Sequence, residues 1–195
     1  MTRVYLDYAA SAPLRPEAKA RMAEKAVARI PRSGTIFLDA GTTIQAVARA
    51  LTHRRDLNNL VVATNNLAVA SVLGGAAGVE LHVIGGMFLH RQAALMGTRA
   101  IRALDDWAFD AAFLGGEGMD DAGISNSHES IAELQRAILR QTEGIYFCLD
   151  ASKLGRSTPH RVAPWRQLTA LISDAPPKDL AKIGIELPAR KLLRA

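Results

Sequence analysis

The chain has 195 residues, of which 49% are hydrophobic and 22% charged, and its formal net charge is +5. This length suffices for one compact domain with its own hydrophobic core. The basic residues are scattered, so the net charge indicates a solvated surface and does not by itself predict DNA binding. No apolar run approaches the roughly 20 residues that cross a bilayer, and the first residues lack a signal-peptide pattern. We therefore expect a cytoplasmic protein with no membrane partner.

Short apolar runs alternate with helical patterns along the chain. Continuous apolar runs are typical of strands that are buried on both faces, and strands that alternate with helices form parallel sheets. The sequence therefore predicts an α/β fold with a mainly parallel, doubly wound sheet and helices on both faces. The predicted strands are 35–39, 60–64, 79–84, 109–115, 144–150 and 168–173. Helices are predicted from Pro16 to about Ile30, from about Ile44, and over 130–141, and the tail after Asp174 is predicted to be looser.

A small polar loop follows four of the predicted strands. Ligands of open α/β sheets bind outside the carboxyl ends of the strands, so these loops predict one shared pocket. Their glycines, hydroxyls and basic side chains suit a phosphorylated small molecule. The loops are residues 39–43, 64–66, 115–120 and 150–156.

The first loop, Asp39-Ala-Gly-Thr-Thr43, joins a strand to a helix. Gly41 permits close approach of the backbone, and the N–H groups of Thr42 and Thr43 would face an anion at the start of the helix. A role for Thr42 as helix cap explains the loop equally well.

The next two loops have a structural and a binding interpretation. Thr64, Asn65 and Asn66 can satisfy a turn through their own side chains, but beside a phosphate loop they also suit sugar hydroxyls. Gly85 and Gly86 follow the third strand and predict a tight turn, with ligand contact as the alternative.

The last two loops carry charged residues. Glu117 follows Gly116 in a glycine-rich loop with Asp120, and such paired carboxylates hold hydroxyls or exchange protons. The alternative for Asp120 is a solvated turn. In the loop that begins at Asp150, Lys153 and Arg156 favour phosphate binding, with ordinary surface charge as the alternative. The candidate ligand-binding residues are Asp39, Gly41, Thr42, Thr43, Thr64, Asn65, Asn66, Gly85, Gly86, Gly116, Glu117, Asp150, Lys153 and Arg156.

Other reactive side chains carry weaker signals. The single cysteine, Cys148, lies in an apolar run and is predicted to be a buried small hydrophobe. His128 and Glu129 could form an acid/base pair at a pocket mouth, although isolated histidines are more often surface residues. No metal-ligand spacing links the histidines, and we expect neither a metal nor a cofactor.

Six motifs, taken in order, resemble the C-terminal effector-sensing domain of the DeoR family of bacterial transcriptional regulators. The resemblance covers about residues 21–175. It implies a fold similar to that of ribose-5-phosphate isomerase and the CoA transferases, a phosphorylated sugar as effector, and a homo-oligomer. The motifs are residues 36–43, 62–66, 84–86, 96–97, 110–116 and 149–156.

The chain departs from the family pattern at three positions. Glu117 stands where the family loop has aspartate, His128 stands at an acidic position, and Gln135 stands where a lysine is typical. These changes leave the phosphate loops intact and the identity of the sugar open.

The N-terminal region differs more strongly. The winged helix-turn-helix of the family is not found before the sensor motifs, so we expect no direct DNA contact from this chain. Residues 4–13 instead resemble the opening of cysteine desulfurases, but no segment for the Schiff base of pyridoxal phosphate follows. We therefore expect a leader at 1–20 and a sugar-phosphate-sensing domain at 21–195.

The leading hypothesis is an effector sensor and not an enzyme. The alternative is an aldose-ketose sugar-phosphate isomerase in which Glu117 is the base and Lys153 holds the phosphate, although fold alone does not carry function. The Lys-Gly-Gly-Gly stretch typical of such isomerases is missing after Asp120. A third hypothesis is an oligomerisation scaffold with a vestigial pocket.

Overall fold

The computed structural model describes residues 16–195. Most of the predicted leader, including the motif at residues 4–13, lies outside the described residues. The helices are α1 (Pro16–Val27), α2 (Thr42–Leu51), α3 (Leu67–Leu73), α4 (Thr98–Arg102), α5 (Glu129–Arg140) and α6 (Pro177–Lys182). The strands are β1 (Gly34–Leu38), β2 (Leu60–Thr64), β3 (Val79–Val83), β4 (Met87–Leu89), β5 (Ala94–Met96), β6 (Phe109–Leu114), β7 (Gly118–Asp120), β8 (Gly123–Asn126), β9 (Thr142–Cys148), β10 (His160–Ala163), β11 (Ala170–Ser173) and β12 (Leu192–Arg194).

Seven strands form one central sheet in the order β12-β11-β9-β6-β1-β2-β3. All neighbouring pairs in this sheet are parallel, which confirms the predicted fold class. The six predicted strands are all present, with ends that differ by at most two residues. The seventh strand, β12, lies in the tail that we predicted to be looser, because three residues are too few to produce a periodic pattern.

Helices cover both faces of the sheet. Along β1, Ile36 and Leu38 pack into the core beneath α1 and α2, whereas Phe37 packs into the core beneath α5. Alternate side chains of a strand point to opposite faces, so a strand buried on both faces is apolar throughout. No helix within residues 16–195 is long and apolar enough to cross a membrane.

Two smaller sheets flank the carboxyl edge of the central sheet, and the sequence did not predict them. Strands β7, β8 and β10 form an antiparallel sheet, and β4 pairs with β5 in a hairpin. Each of these strands has three or four residues, which is shorter than the runs from which strands are recognised in a sequence.

Gly85 and Gly86 lie in the link between β3 and the hairpin. The structure assigns no turn there, so the prediction of a tight turn is wrong. Gly86 is needed for a different reason, because its backbone passes close to that of Met96. A Cβ atom at position 86 would lie 2.5 Å from the carbonyl oxygen of Met96, whereas one at Gly85 would meet nothing within 4 Å.

We expect Gly86→Ala to lower the free energy of unfolding by about 1 to 3 kcal/mol, because the added methyl overpacks against backbone that cannot move independently. The measurement is urea denaturation followed by circular dichroism. The matched control Gly85→Ala adds the same methyl to open space and should change stability by less than about 0.5 kcal/mol. Equal stability of the two variants would contradict the close approach at Gly86.

Candidate functional site

A pocket of about 500 Å³ lies where three adjacent strands of the central sheet, β1, β6 and β9, end. The loops after these strands form its floor. Its wall comes from the turn between β4 and β5 and from one residue of α1. The residues that line it are Lys19, Asp39, Ala40, Gly41, Thr42, Thr43, Ile44, Gln45, Arg91, Gln92, Ala93, Gly115, Gly116, Glu117, Asn126, Ile131, Gln135, Cys148, Leu149, Asp150 and Lys153.

The N-terminus of α2 opens into this pocket. Gly41 occupies the position before the helix with φ of 125°, a conformation that favours glycine, and no side chain caps the helix there. Thr42 is the first helical residue, so it does not act as the cap. The first N–H groups of an α-helix have no partner within the helix, and the helix dipole adds positive potential at this end. The arrangement is therefore suited to an anion.

Asp39 connects the ends of β1 and β6 with α5. Its Oδ2 accepts hydrogen bonds from Gln135 Nε2 at 2.7 Å and from the N–H of Gly115 at 3.3 Å. The same amide of Gln135 also donates to the carbonyl oxygen of Gly115 at 2.9 Å. These contacts hold three segments that are distant in sequence around one carboxyl group.

Asp39 is buried, with 1% of its surface exposed. Burial raises the pKa of this carboxyl to about 6, although hydrogen bonds from Gln135, Ala40 and Gly115 act in the opposite direction. The other oxygen, Oδ1, is buried and has no well-aligned hydrogen-bond partner among the described residues. Asp39 also forms no ion pair with the described residues, so its charge is compensated only by neutral amides.

Glu117, Asp150 and Lys153 complete the floor of the pocket. Glu117 is partly exposed, and its Oε2 accepts the N–H of Ser127 at 3.1 Å. Asp150 is buried and accepts the N–H of Ser152 at 2.8 Å, which starts a short 3-10 helix at 151–153. This helix turns Lys153 toward the pocket. A carboxylate and an ammonium group therefore line one cavity from loops that follow two neighbouring strands.

The residues of the 64–66 loop serve a structural purpose. Asn66 caps α3 through a 2.9 Å hydrogen bond from the N–H of Val69 to its Oδ1, and its amide donates to the carbonyl oxygen of Gln92 at 2.8 Å. Asn65 donates to the carbonyl oxygen of Leu95 at 3.3 Å. The Oγ1 of Thr64 accepts the N–H of Asn66 at 3.1 Å. These contacts hold the β4–β5 hairpin against the edge of the pocket.

The predicted site residues thus divide into two groups. Those that the pocket brings together are Asp39, Gly41, Thr42, Thr43, Gly116, Glu117, Asp150 and Lys153. Those that are not among its described lining residues are Thr64, Asn65, Asn66, Gly85, Gly86 and Arg156.

Five polar side chains at the pocket did not come from the sequence reasoning, namely those of Lys19, Gln45, Arg91, Gln92 and Asn126. Lys19 belongs to α1, which begins at Pro16 and crosses the predicted boundary at residue 20. Arg91 and Gln92 belong to the turn of an unpredicted hairpin. Ala93 in this turn has φ of 49°, which is uncommon for a residue other than glycine. Such an unusual backbone beside a cavity is a sign of function that only coordinates reveal.

Other candidate groups have different surroundings. Asp120 forms a salt bridge with Arg161, and hydrogen bonds from that guanidinium hold the pKa of Asp120 below its usual range. His128 precedes α5 without capping it, and neither His128 nor Glu129 is among the described lining residues.

Cys148 is buried as predicted, and burial raises the pKa of its thiol to about 12. Residues 16–195 contain no cluster of three groups that could hold a metal ion.

Solved structures place the fold in a known class. A ribose-5-phosphate isomerase aligns with 73% of this chain and 55% of its own length at a TM-score of 0.53 and 15% identity. The eIF2B delta protein of Chaetomium thermophilum aligns with 82% of this chain and 57% of its own at a TM-score of 0.54 and 17% identity. At these identities the likeness concerns the fold alone, and it confirms the predicted similarity to the isomerase.

Residues 14–175 match the family model of the DeoR C-terminal sensor domain. The glycerol-3-phosphate regulon repressor of Escherichia coli strain K12 is 32% identical over 164 residues, which cover 83% of this chain and 63% of the repressor. The HTH-type transcriptional repressor GlcR of Bacillus subtilis strain 168 is 29% identical over 176 residues, which cover 88% and 67%. The chain spans about two thirds of the length of these relatives. It belongs to the DeoR family of transcriptional regulators and carries their C-terminal sensor domain.

The buried carboxyl of Asp39 predicts a specific pH dependence of stability. Its pKa is about 6 in the folded chain against 3.8 for an unperturbed aspartate, so the folded state binds the proton more tightly. The contribution of Asp39 to stability is therefore complete below about pH 4 and is lost as the pH rises through 6. Between pH 4 and pH 7 the wild type should lose up to about 3 kcal/mol relative to Asp39→Asn. Urea denaturation of both chains across this pH range measures the difference.

A comparison with Asp120→Asn separates this effect from a general response to acid. Arg161 lowers the pKa of Asp120, so this carboxylate stabilises the fold at neutral pH and loses that effect as the pH falls. The stability of the wild type relative to Asp120→Asn should therefore rise with pH, whereas its stability relative to Asp39→Asn should fall. If the free energy of unfolding depends on pH in the same way in the wild type and in Asp39→Asn, the raised pKa of Asp39 is contradicted.

Proposed function

We propose that the pocket binds a phosphorylated sugar and that the domain is the effector sensor of a bacterial transcriptional regulator. The observation that carries the proposal is the uncapped N-terminus of α2, which opens into the same cavity as Lys153. In such a regulator, effector binding would favour one arrangement of the domain and change DNA affinity by a coupling of roughly 1 to 3 kcal/mol. DNA would be bound by a part of the regulator other than residues 16–195.

The phosphate end of the ligand would lie at the start of α2. Backbone N–H groups at Thr42 and Thr43 point along the helix axis toward the cavity, where the helix dipole favours an anion. Lys153 adds a positive charge from the neighbouring loop, and Lys19 adds another from α1. Three independent elements therefore contribute positive potential to one region.

The sugar end would lie toward the carboxylates. Glu117 lines the cavity with one oxygen held by Ser127, which orients the side chain toward a ligand hydroxyl. Gln135 and Asn126 bond to each other at 3.4 Å on the same side. Oxygen-rich side chains of this kind select a polyol by hydrogen bonding. The relative named as a glycerol-3-phosphate regulon repressor supports a phosphorylated polyol as the ligand class.

The surroundings of the acidic loop exclude one of its two carboxylates from proton exchange. Asp120 is engaged by Arg161, and its backbone carbonyl oxygen accepts the indole N–H of Trp165 at 2.8 Å. A carboxylate held in an ion pair is a poor partner for proton exchange near neutral pH. Glu117 remains as the base that the isomerase hypothesis requires, so the preference for a sensor rests on the repressor names of the relatives, and we propose that the domain is not an enzyme.

We also propose that the protein acts in the cytoplasm as a homo-oligomer. Four large apolar side chains are exposed on α3, β3 and β4, and exposed apolar surface marks association sites where it is contiguous. They are Leu67, Val83, Met87 and Phe88. Light scattering should give a mass that is a multiple of 20.9 kDa, whereas the mass of a single chain would contradict self-association.

Removal of the Lys153 ammonium group tests the phosphate site. Lys153→Ala should weaken the binding of phosphorylated sugars by about 10- to 100-fold, because a charge-assisted hydrogen bond contributes roughly 1.5 to 3 kcal/mol. Calorimetric titration with a panel of hexose and pentose phosphates measures the affinity. As a cheaper screen, ligand at about 100 times its Kd should raise the stability of the wild type by about 2.7 kcal/mol.

Lys178→Ala is the matched control, because Lys178 is exposed on α6 and is not among the described residues that line the pocket. Its affinity for each phosphate should equal that of the wild type. If no phosphorylated sugar binds the wild type, the proposed function is wrong. If Lys153→Ala and Lys178→Ala bind equally well, the phosphate lies elsewhere. Turnover of ribose 5-phosphate that is lost in Glu117→Gln would favour the isomerase instead.

A further inference from the structure

Two buried acceptor atoms of the pocket lack hydrogen-bond partners. They are Asp39 Oδ1 and Gln92 Oε1, and both belong to residues that line the same cavity. Buried polar atoms are normally paired, and an unpaired one costs roughly 1 to 3 kcal/mol, or more when it is charged. The two other unpaired atoms among the described residues, Asn65 Oδ1 and Thr158 Oγ1, belong to residues outside the described lining. The two at the cavity lie where a bound molecule can supply the missing donors.

The charge around Asp39 distinguishes between possible donors. The amide of Gln135 and the backbone N–H of Gly115 donate to Oδ2, the backbone N–H of Ala40 also acts on the carboxyl, and all three donors are neutral. Glu117 adds a second carboxylate to the lining. A ligand hydroxyl would satisfy one lone pair but leave the buried charge uncompensated. An ammonium group has three donors and no acceptor, and its charge offsets that of the carboxylate.

We propose that the effector carries an amino group, and that Asp39 binds it as an ammonium ion while the start of α2 and Lys153 bind the phosphate. This inference rests on the proposed function, because it assumes a phosphate at the start of α2. The ligand class is then an amino sugar phosphate. Its two charges are opposite in sign, as are those of Asp39 and Lys153 in the pocket.

The geometry also explains why the amino group would be recognised in preference to its acetylated form. Acetylation removes the positive charge and adds a carbonyl oxygen, which is an acceptor. The pocket already presents acceptors at Asp39, Gln92 and Glu117. An acceptor placed against these acceptors has no hydrogen bond to make, so the acetylated sugar should bind more weakly.

The test compares sugars that differ at one group. We would titrate the full chain with glucosamine 6-phosphate, glucose 6-phosphate and N-acetylglucosamine 6-phosphate, and with galactosamine 6-phosphate and galactose 6-phosphate. In at least one series the amine should bind at least 10-fold more tightly than the matching alcohol. Equal or tighter binding of the alcohol in every series that binds would overturn the proposal while leaving the phosphate site intact. If none of the phosphates binds, the proposed function fails and the inference fails with it.

Two variants connect the preference to Asp39. Asp39→Asn keeps the size of the side chain and should abolish the preference for the amine, measured as the ratio of the amine and alcohol affinities within the variant. Asp179→Asn makes the same chemical change on α6, at a residue that is not among the described lining residues, and should retain the full preference. A preference that survives in Asp39→Asn would overturn the assignment.

Gln135→Lys provides an independent check if Asp39→Asn folds poorly. Gln135 Nε2 lies 2.7 Å from Asp39 Oδ2, so a lysine at this position would supply the missing cation from the protein itself. The variant should lose the preference for the amine, measured as the ratio of the amine and alcohol affinities within the variant. An unchanged preference in Gln135→Lys would contradict the role given to the uncompensated carboxylate.

Discussion

The arrangement of the site depends on one buried carboxyl group. Asp39 directly follows β1, which neighbours the central strand β6, and its Oδ2 is shared by Gln135 of α5 and the backbone of Gly115 after β6. The backbone N–H of Asp39 also donates to the carbonyl oxygen of Phe113 at 3.1 Å, which continues the pairing of β1 with β6. The phosphate-type loop at Gly41 begins two residues later. The position of that loop therefore follows from the contacts of Asp39.

This arrangement is destabilising because it buries the Asp39 carboxylate away from water. Burial raises the pKa of Asp39 to about 6, which means that the folded chain holds the ionised form at the expense of stability. Destabilising features such as this buried charge cluster at functional sites. The unusual backbone of Ala93 on the opposite wall fits the same pattern. Both features lie at the cavity rather than elsewhere in the core.

Much of the site could be predicted from the sequence because parallel strands bring their carboxyl ends to one edge. Asp39, Thr42, Glu117 and Lys153 are far apart in the chain, yet each directly follows a recognisable apolar run, and the pocket contains all four. Asn66 is not among the described lining residues. Its loop also follows a strand, but β2 is one strand further from the centre and its side chain holds the β4–β5 hairpin.

The residues that sequence reasoning missed reach the pocket through tertiary packing. Arg91 and Gln92 lie on a hairpin whose strands have three residues each, and Lys19 lies on a helix whose polar face carries no periodic signal for a ligand. The significance of Gln135 emerged only from its distance to Asp39. A pattern of residues identifies the elements and the ends of strands, whereas the partner of a buried charge depends on how these elements pack.

The central claim is that a phosphate group lies at the start of α2. The most direct measurement is a crystal structure of the chain with a phosphorylated sugar that binds it. The account predicts electron density for the phosphate within hydrogen-bond distance of the backbone N–H groups of Thr42 and Thr43 and of Lys153 Nζ, with the sugar extending toward Asp39 and Glu117. A phosphate bound outside this cavity, or bound in it with the opposite orientation, would contradict the account.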